Sequence, residues 1–333
     1  MGRYWLPTAV YSFSHFAVDL GCAFAMFSAC AHTPVCFLLY NFCAFAMQMP
    51  LGLLADILGR NRRFALLGIL LVGIVCCLPG FGWLGVVILG LGNGLFHIGG
   101  GLDVLNLSEN RAAPLGVFVS PGAYGIYLGT MLGNNGTSPL PVLAALLLAC
   151  GGILLICRPD AMPDNVPPEL PGRQVLPLAV CLFLVVVLRS YGGMAAAFDW
   201  KTGFWSFAAV SAVVFGKTLG GFLSDRLGLF QSAAGSLGLC AVLFCFSGHP
   251  IPGVLALLLF NMTMPMTLFA LAQVMPGVKG FSFGLLTFAL FLGFLPTYLG
   301  AGSLGGVGMA LVTVLTALLL LPGLRTRTIK ELP

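Results

Sequence analysis

Runs of about twenty apolar residues, separated by short clusters of Gly, Pro and polar side chains, recur along the whole chain. A hydrocarbon core about 30 Å thick takes roughly 20 residues of helix per crossing, so this rhythm predicts helices that span a bilayer. Twelve spans are expected, at 6–30, 35–55, 64–79, 83–104, 115–133, 140–157, 175–198, 203–224, 229–247, 251–272, 279–299 and 303–321. The first has no small-residue cleavage site behind a short apolar core and reads as a retained helix. Between the sixth and seventh, Arg158 to Gln174 carries five prolines and several charges, the composition of a linker. The pattern therefore predicts an all-α membrane protein of two six-helix halves, 1–157 and 175–333, joined by a cytoplasmic linker at 158–174.

Composition agrees with that picture and closes off others. The 333 residues are 59% hydrophobic and 8% charged, with a mean hydropathy of +1.03, whereas soluble domains carry about 25% charge. A soluble enzyme, a secreted disulfide scaffold and a nucleic-acid binder are excluded on that ground, and the lipid bilayer is the first partner. With the N-terminus cytoplasmic, basic residues such as Arg3, Arg60, Arg111, Arg226, Lys279 and Lys330 fall inside and only Lys201 outside. This positive-inside bias predicts a multi-pass protein of the plasma (inner) membrane with both termini cytoplasmic. The net charge of +5 is accounted for as a topology signal.

A repeat links the halves. Gly52-Leu-Leu-Ala-Asp56-Ile-Leu-Gly59-Arg60 recurs as Gly221-Phe-Leu-Ser-Asp225-Arg226-Leu-Gly228, the aspartates 169 positions apart, each at the inner end of the second span of its half. Gly-x-Leu-x-Asp-x-x-Gly-Arg with basic residues following resembles the loop signature of the major facilitator superfamily. The resemblance implies two pseudo-symmetric six-helix bundles, and a gating role for Gly52, Asp56, Gly59, Arg60, Gly221, Asp225 and Arg226: each aspartate accepts bonds at a helix N-terminus while the arginines latch the bundles. Ser14-His15-Phe-Ala-Val-Asp19, Gly92-Asn93-Gly94-Leu-Phe96-His97 and Ala272-Gln273-Val-Met-Pro276-Gly277 are similar to the fosmidomycin-resistance-type exporter branch. Where that branch has Pro-Glu after the histidine, this chain has Ile98-Gly99. Span five carries Gly125-x-x-x-Gly129-x-x-x-Gly133, small residues on one face that let two helices approach closely.

Charges at bilayer depth are costly and mark function. Three fall well inside spans: Asp19, Arg189 and Lys217. Asp19 and Arg189 lie at matching depths in the symmetry-related first and seventh spans, so an Asp19–Arg189 ion pair is expected. His15 is one helical turn before Asp19, on the same face, and imidazole is the side chain suited to responding to protons. With His97, Asn93, Asn261, Tyr191 and Gln273, these residues form the candidate substrate and proton-coupling set. Arg189, Lys217 and the histidines bias a cavity positive, which favours an anionic or zwitterionic small molecule.

Eleven cysteines are scattered through apolar spans with no Cys-x-x-Cys; Cys30 and Cys36 alone flank an outside loop and could bridge. The better metal candidate is His15 with Asp19 and a third ligand such as His97, against which an adjacent Arg189 would count. No enzyme motif of the Gly-x-Ser-x-Gly or His-Glu-x-x-His kind occurs, so no catalytic residue, cofactor or resident metal is expected. The reading is a monomeric secondary transporter exporting a small organic, anionic or zwitterionic solute by proton-coupled antiport. A divalent metal-ion carrier of the same fold, or a non-transporting membrane receptor, are the alternatives.

Overall fold

The computed structural model describes residues 4–29, 34–78, 80–108, 110–158 and 172–325. Arg3, Cys30, Lys330 and most of the expected linker lie outside them. The described chain is helical: α1 (Trp5–Ala29), α2 (Pro34–Asn41), α3 (Gln48–Leu58), α4 (Asn61–Cys76), α5 (Trp83–Leu107), α6 (Ala113–Val119), α7 (Gly122–Asn134), α8 (Leu140–Ile156), α9 (Leu176–Ala195), α10 (Gly203–Leu227), α11 (Leu229–Cys245), α12 (Pro250–Asn261), α13 (Thr263–Val274), α14 (Lys279–Tyr298) and α15 (Gly306–Leu324). One isolated bridge, Ala196 to Leu304, is the only extended pairing among the described residues. Among these residues nine helical segments are long and apolar enough to cross a membrane, and α8 and α11 are shorter apolar helices. The protein is a multi-pass membrane protein.

Three of the spans expected as single helices are interrupted, and each interruption has a proline beside it. Proline has no N–H to give the fourth carbonyl before it. Pro50 follows a π-helical turn, Phe42–Ala46, that joins α2 to α3, with Met47 N–H reaching back to the Phe42 carbonyl at 3.1 Å. Pro121 separates α6 from α7, and Pro265 follows the break at Met262 between α12 and α13. Other prolines stand in the first turns of α8, α9 and α12, where the missing donor is harmless, and Pro296 and Pro322 lie inside α14 and α15.

The chain forms two compact units. One contains 1–109, 117–169 and 278–288, the other 110–116, 170–277 and 289–333. In the first, α7 lies along α1 on its glycine face: a Cβ at Gly125, Gly129 or Gly133 would meet the carbonyls of Phe16, Leu20 and Phe24. This is the function of the spaced glycines, close backbone approach. In the second, buried Phe244, Phe260, Met309, Ala256 and Cys240 make a core at which α11, α12 and α15 meet. Trp200 closes it, donating from Nε1 to the Ser247 carbonyl at 2.8 Å.

Candidate functional site

The site is built on α1 and α5 in the first unit. His15 and Asp19 are four residues apart on α1, as Asn93 and His97 are on α5, so each helix presents two polar groups on one face. All four are buried. The geometry fixes where the ring hydrogens are. His15 Nδ1 lies 2.8 Å from the Phe118 carbonyl and His97 Nδ1 lies 2.9 Å from the Asn93 carbonyl. A carbonyl only accepts, so both Nδ1 atoms donate. The Phe118 carbonyl stands in the last turn of α6, where a helix leaves carbonyls without intrahelical partners; the break at Pro121 is thus what supplies the acceptor for His15.

With Nδ1 committed, both Nε2 atoms turn toward each other and toward the carboxylate. His15 Nε2 and His97 Nε2 are 2.9 Å apart. Asp19 Oδ2 is 3.2 Å from His15 Nε2, and Asp19 Oδ1 is 3.8 Å from His97 Nε2. In neutral imidazoles these would be three acceptors converging on one small volume. Such a convergence is suited to a cation. Asn93 adds a donor, its Nδ2 giving to Asp19 Oδ1 at 3.1 Å, while its own Oδ1 is buried without a donor. Gly122 borders the cluster so closely that a Cβ there would meet Asp19 Oδ2 and His15 Nε2.

The remaining expected residues are distributed elsewhere. Arg189 is buried on α9 in the second unit, and its Nε has no partner. Tyr191 is half-buried two residues further along α9, and Lys217 is half-buried on α10. Asn261 donates to the Leu257 carbonyl of its own helix at 2.8 Å, and Gln273 donates to Asn110 Oδ1 at 3.1 Å. The expected partner of Asp19 was Arg189; the partners it has in its own unit are His15, His97 and Asn93.

Asp103 on α5 is a further charge within a long apolar helix. The Tyr11 hydroxyl donates to its Oδ2, and Tyr11 is wholly buried one turn before His15. The signal that could have found it is the i, i+4, i+8 series of Tyr11, His15 and Asp19 on α1, a polar stripe that requires partners along α5.

The repeated motif has a local geometry of the same form in each unit. Asp56 accepts from Gly280 N–H at 2.7 Å and Phe281 N–H at 2.8 Å, at the start of α14. Asp225 accepts from Ala112 N–H at 2.6 Å and Ala113 N–H at 3.0 Å, at the start of α6. The glycine one turn earlier makes this possible: a Cβ on Gly52 would strike the Gly280 carbonyl, and one on Gly221 the Ala112 carbonyl. Gly59 ends α3 in the left-handed region at φ 61, a conformation that favours glycine, and Arg60 stands at the N-terminus of α4.

No protein-family profile matches the chain, and no curated protein matches it in sequence. Solved structures do match in fold. The chain is similar to the E. coli fucose:proton symporter FucP, with a TM-score of 0.67 at 14% identity over 97% of this chain and 98% of that one. It is also similar to a bacterial homologue of the iron transporter ferroportin in an outward-facing state, with a TM-score of 0.60 at 14% identity over 96% and 97%. The chain shares the helical fold of these two transporters.

Proposed function

We propose that this protein is a secondary active transporter of the major facilitator superfamily that exports a small organic, anionic or zwitterionic solute in exchange for protons. Alternating access would come from rocking of two six-helix halves about a site at mid-membrane, with twelve spans, cytoplasmic termini and a monomer as the working unit. The observation that carries the substrate class is Arg189: a guanidinium held 7% exposed, with Nε unpaired. A buried cation is strongly unfavourable without a partner, and an anionic solute supplies one. Tyr191 and Lys217 are further candidates for contacting the solute, and the Asn261 and Gln273 amides are secondary ones. The proton enters through Asp19, which exchanges His15 and Asn93 for other partners as the halves rock. Asp56 and Asp225, with Gly52, Gly59, Arg60, Gly221 and Arg226, hold one end closed through the helix starts they cap.

The test of the substrate reading is binding. Purified protein is screened against labelled carboxylates, phosphonates and amino acids, and Arg189→Gln is expected to weaken the best ligand at least about tenfold, as loss of one charge-assisted hydrogen bond. Unchanged affinity in Arg189→Gln, with the variant folded by size-exclusion chromatography, contradicts it.

A further inference from the structure

The three convergent acceptors also define a site for a particular kind of ion. A single proton on one Nε2 is shared between that ring and its neighbouring acceptors. A metal ion engages all three at once. In a four-coordinate site with metal–ligand bonds of about 2.0–2.2 Å, neighbouring donor atoms stand about 3.3–3.6 Å apart by tetrahedral geometry. Here the two Nε2 atoms are 2.9 Å apart, with one carboxylate oxygen, Oδ2, 3.2 Å from His15 Nε2 and the other, Oδ1, 3.8 Å from His97 Nε2, and one ligand atom from each residue can be chosen so that all three lie within 4.8 Å of one another.

The surroundings are those of a ligand set. Metal-binding histidines give their other ring N–H to a carbonyl or carboxylate, which fixes the tautomer and raises basicity, and ligating carboxylates are themselves hydrogen-bonded. Both His15 and His97 give Nδ1–H to backbone carbonyls, and Asp19 Oδ1 accepts from Asn93. Independently, the Asn93 carboxamide keeps a buried oxygen with no donor in a residue 2% exposed, a spare acceptor beside the carboxylate. Two imidazoles with one carboxylate suit first-row transition ions, not Mg2+ or Ca2+, which prefer all-oxygen shells. Two neutral rings and one carboxylate sum to a single negative charge, so a bound dication keeps one net positive charge, which suits an anionic oxygen in the remaining position.

We infer that His15, Asp19 and His97 bind one divalent transition-metal ion of the zinc and cobalt type, with the fourth position open to water or to an anionic oxygen. This goes beyond the anion reading and is tested apart from it. Tag-free, full-length protein in detergent is stripped with chelator and titrated with Co2+. The expected result is about one Co2+ per chain, with the intense visible absorption of a four-coordinate site, displaced by Zn2+. His97→Ala and Asp19→Asn should each weaken binding at least about tenfold, the scale on which even supporting residues act, while His249→Gln, at the start of α12, leaves it unchanged. His97→Cys, which restores a ligand, should regain binding and add thiolate-to-cobalt charge-transfer absorption that a misfolded protein would not show. Wild-type binding no tighter than about 1 mM, or Co2+ binding equally tight in His97→Ala and Asp19→Asn, overturns the inference. Organic-anion flux measured in chelator-containing liposomes separates the two claims, because it can persist with the metal claim lost, and metal binding can persist with flux absent.

Discussion

At the scale of residues, two pairs were legible and their meeting was not. The four-residue spacing of His15 with Asp19, and of Asn93 with His97, is visible in the string of letters because a helix places such residues on one face. That the two faces close on each other within 2.9 Å depends on the packing of α1 with α5, which no local spacing encodes. The same holds for Tyr11 and Asp103, whose bond crosses the same two helices. Asp103 looked like a charge at a span boundary because α5 was expected to end near 104, whereas the helix continues to Leu107. Removing the hydroxyl takes one hydrogen bond from a partly buried carboxylate, and such losses are of order 1–3 kcal/mol. Tyr11→Phe is therefore expected to lower the thermal midpoint of the detergent-solubilised protein by several degrees; an unchanged midpoint would show that the Tyr11–Asp103 bond contributes nothing to stability.

The elements divide differently. Span positions followed from hydropathy, and so did the close-packing face of α7, since glycines every four residues mark a helix side that another backbone can touch. Gly122 extends that face to the polar cluster, which the sequence alone did not indicate. Gly129→Leu would drive a side chain into the Leu20 carbonyl, and overpacking of this kind costs about 1–3 kcal/mol, so reduced yield and an earlier melting transition are expected. Gly122→Ala is the subtler change: it should leave the fold intact and displace the His15 and Asp19 side chains, read as altered histidine NMR shifts in α1. The interruptions at Pro50, Pro121 and Pro265 were missed because hydropathy is continuous across them; the prolines were visible, but a kinked span and an unbroken one have the same apolar profile.

For the whole molecule, the repeat was readable in Gly52 to Arg60 and Gly221 to Gly228, and both of its aspartates accept from two backbone N–H groups at a helix start. The partners of the repeated aspartates were not readable in detail, since Gly280 and Phe281 are more than 200 positions from Asp56. Each aspartate satisfies two helix-start donors, and loss of such a cap is worth about 0.5–2 kcal/mol. Asp56→Ala and Asp225→Ala are accordingly expected to favour the conformer open at that end, raising the labelling rate of a single cysteine introduced near it; equal rates in wild type and both variants would remove the gating role.

The central claim, that solute and proton movement are coupled through Asp19, is tested most directly in proteoliposomes that hold a pH-sensitive dye. Addition of a transported organic anion should move lumenal pH in the wild-type protein, and Asp19→Asn should abolish that movement while the protein remains reconstituted and still binds the anion. Lumenal pH that stays constant across an anion panel in the wild type, or that moves equally in Asp19→Asn, would contradict the account.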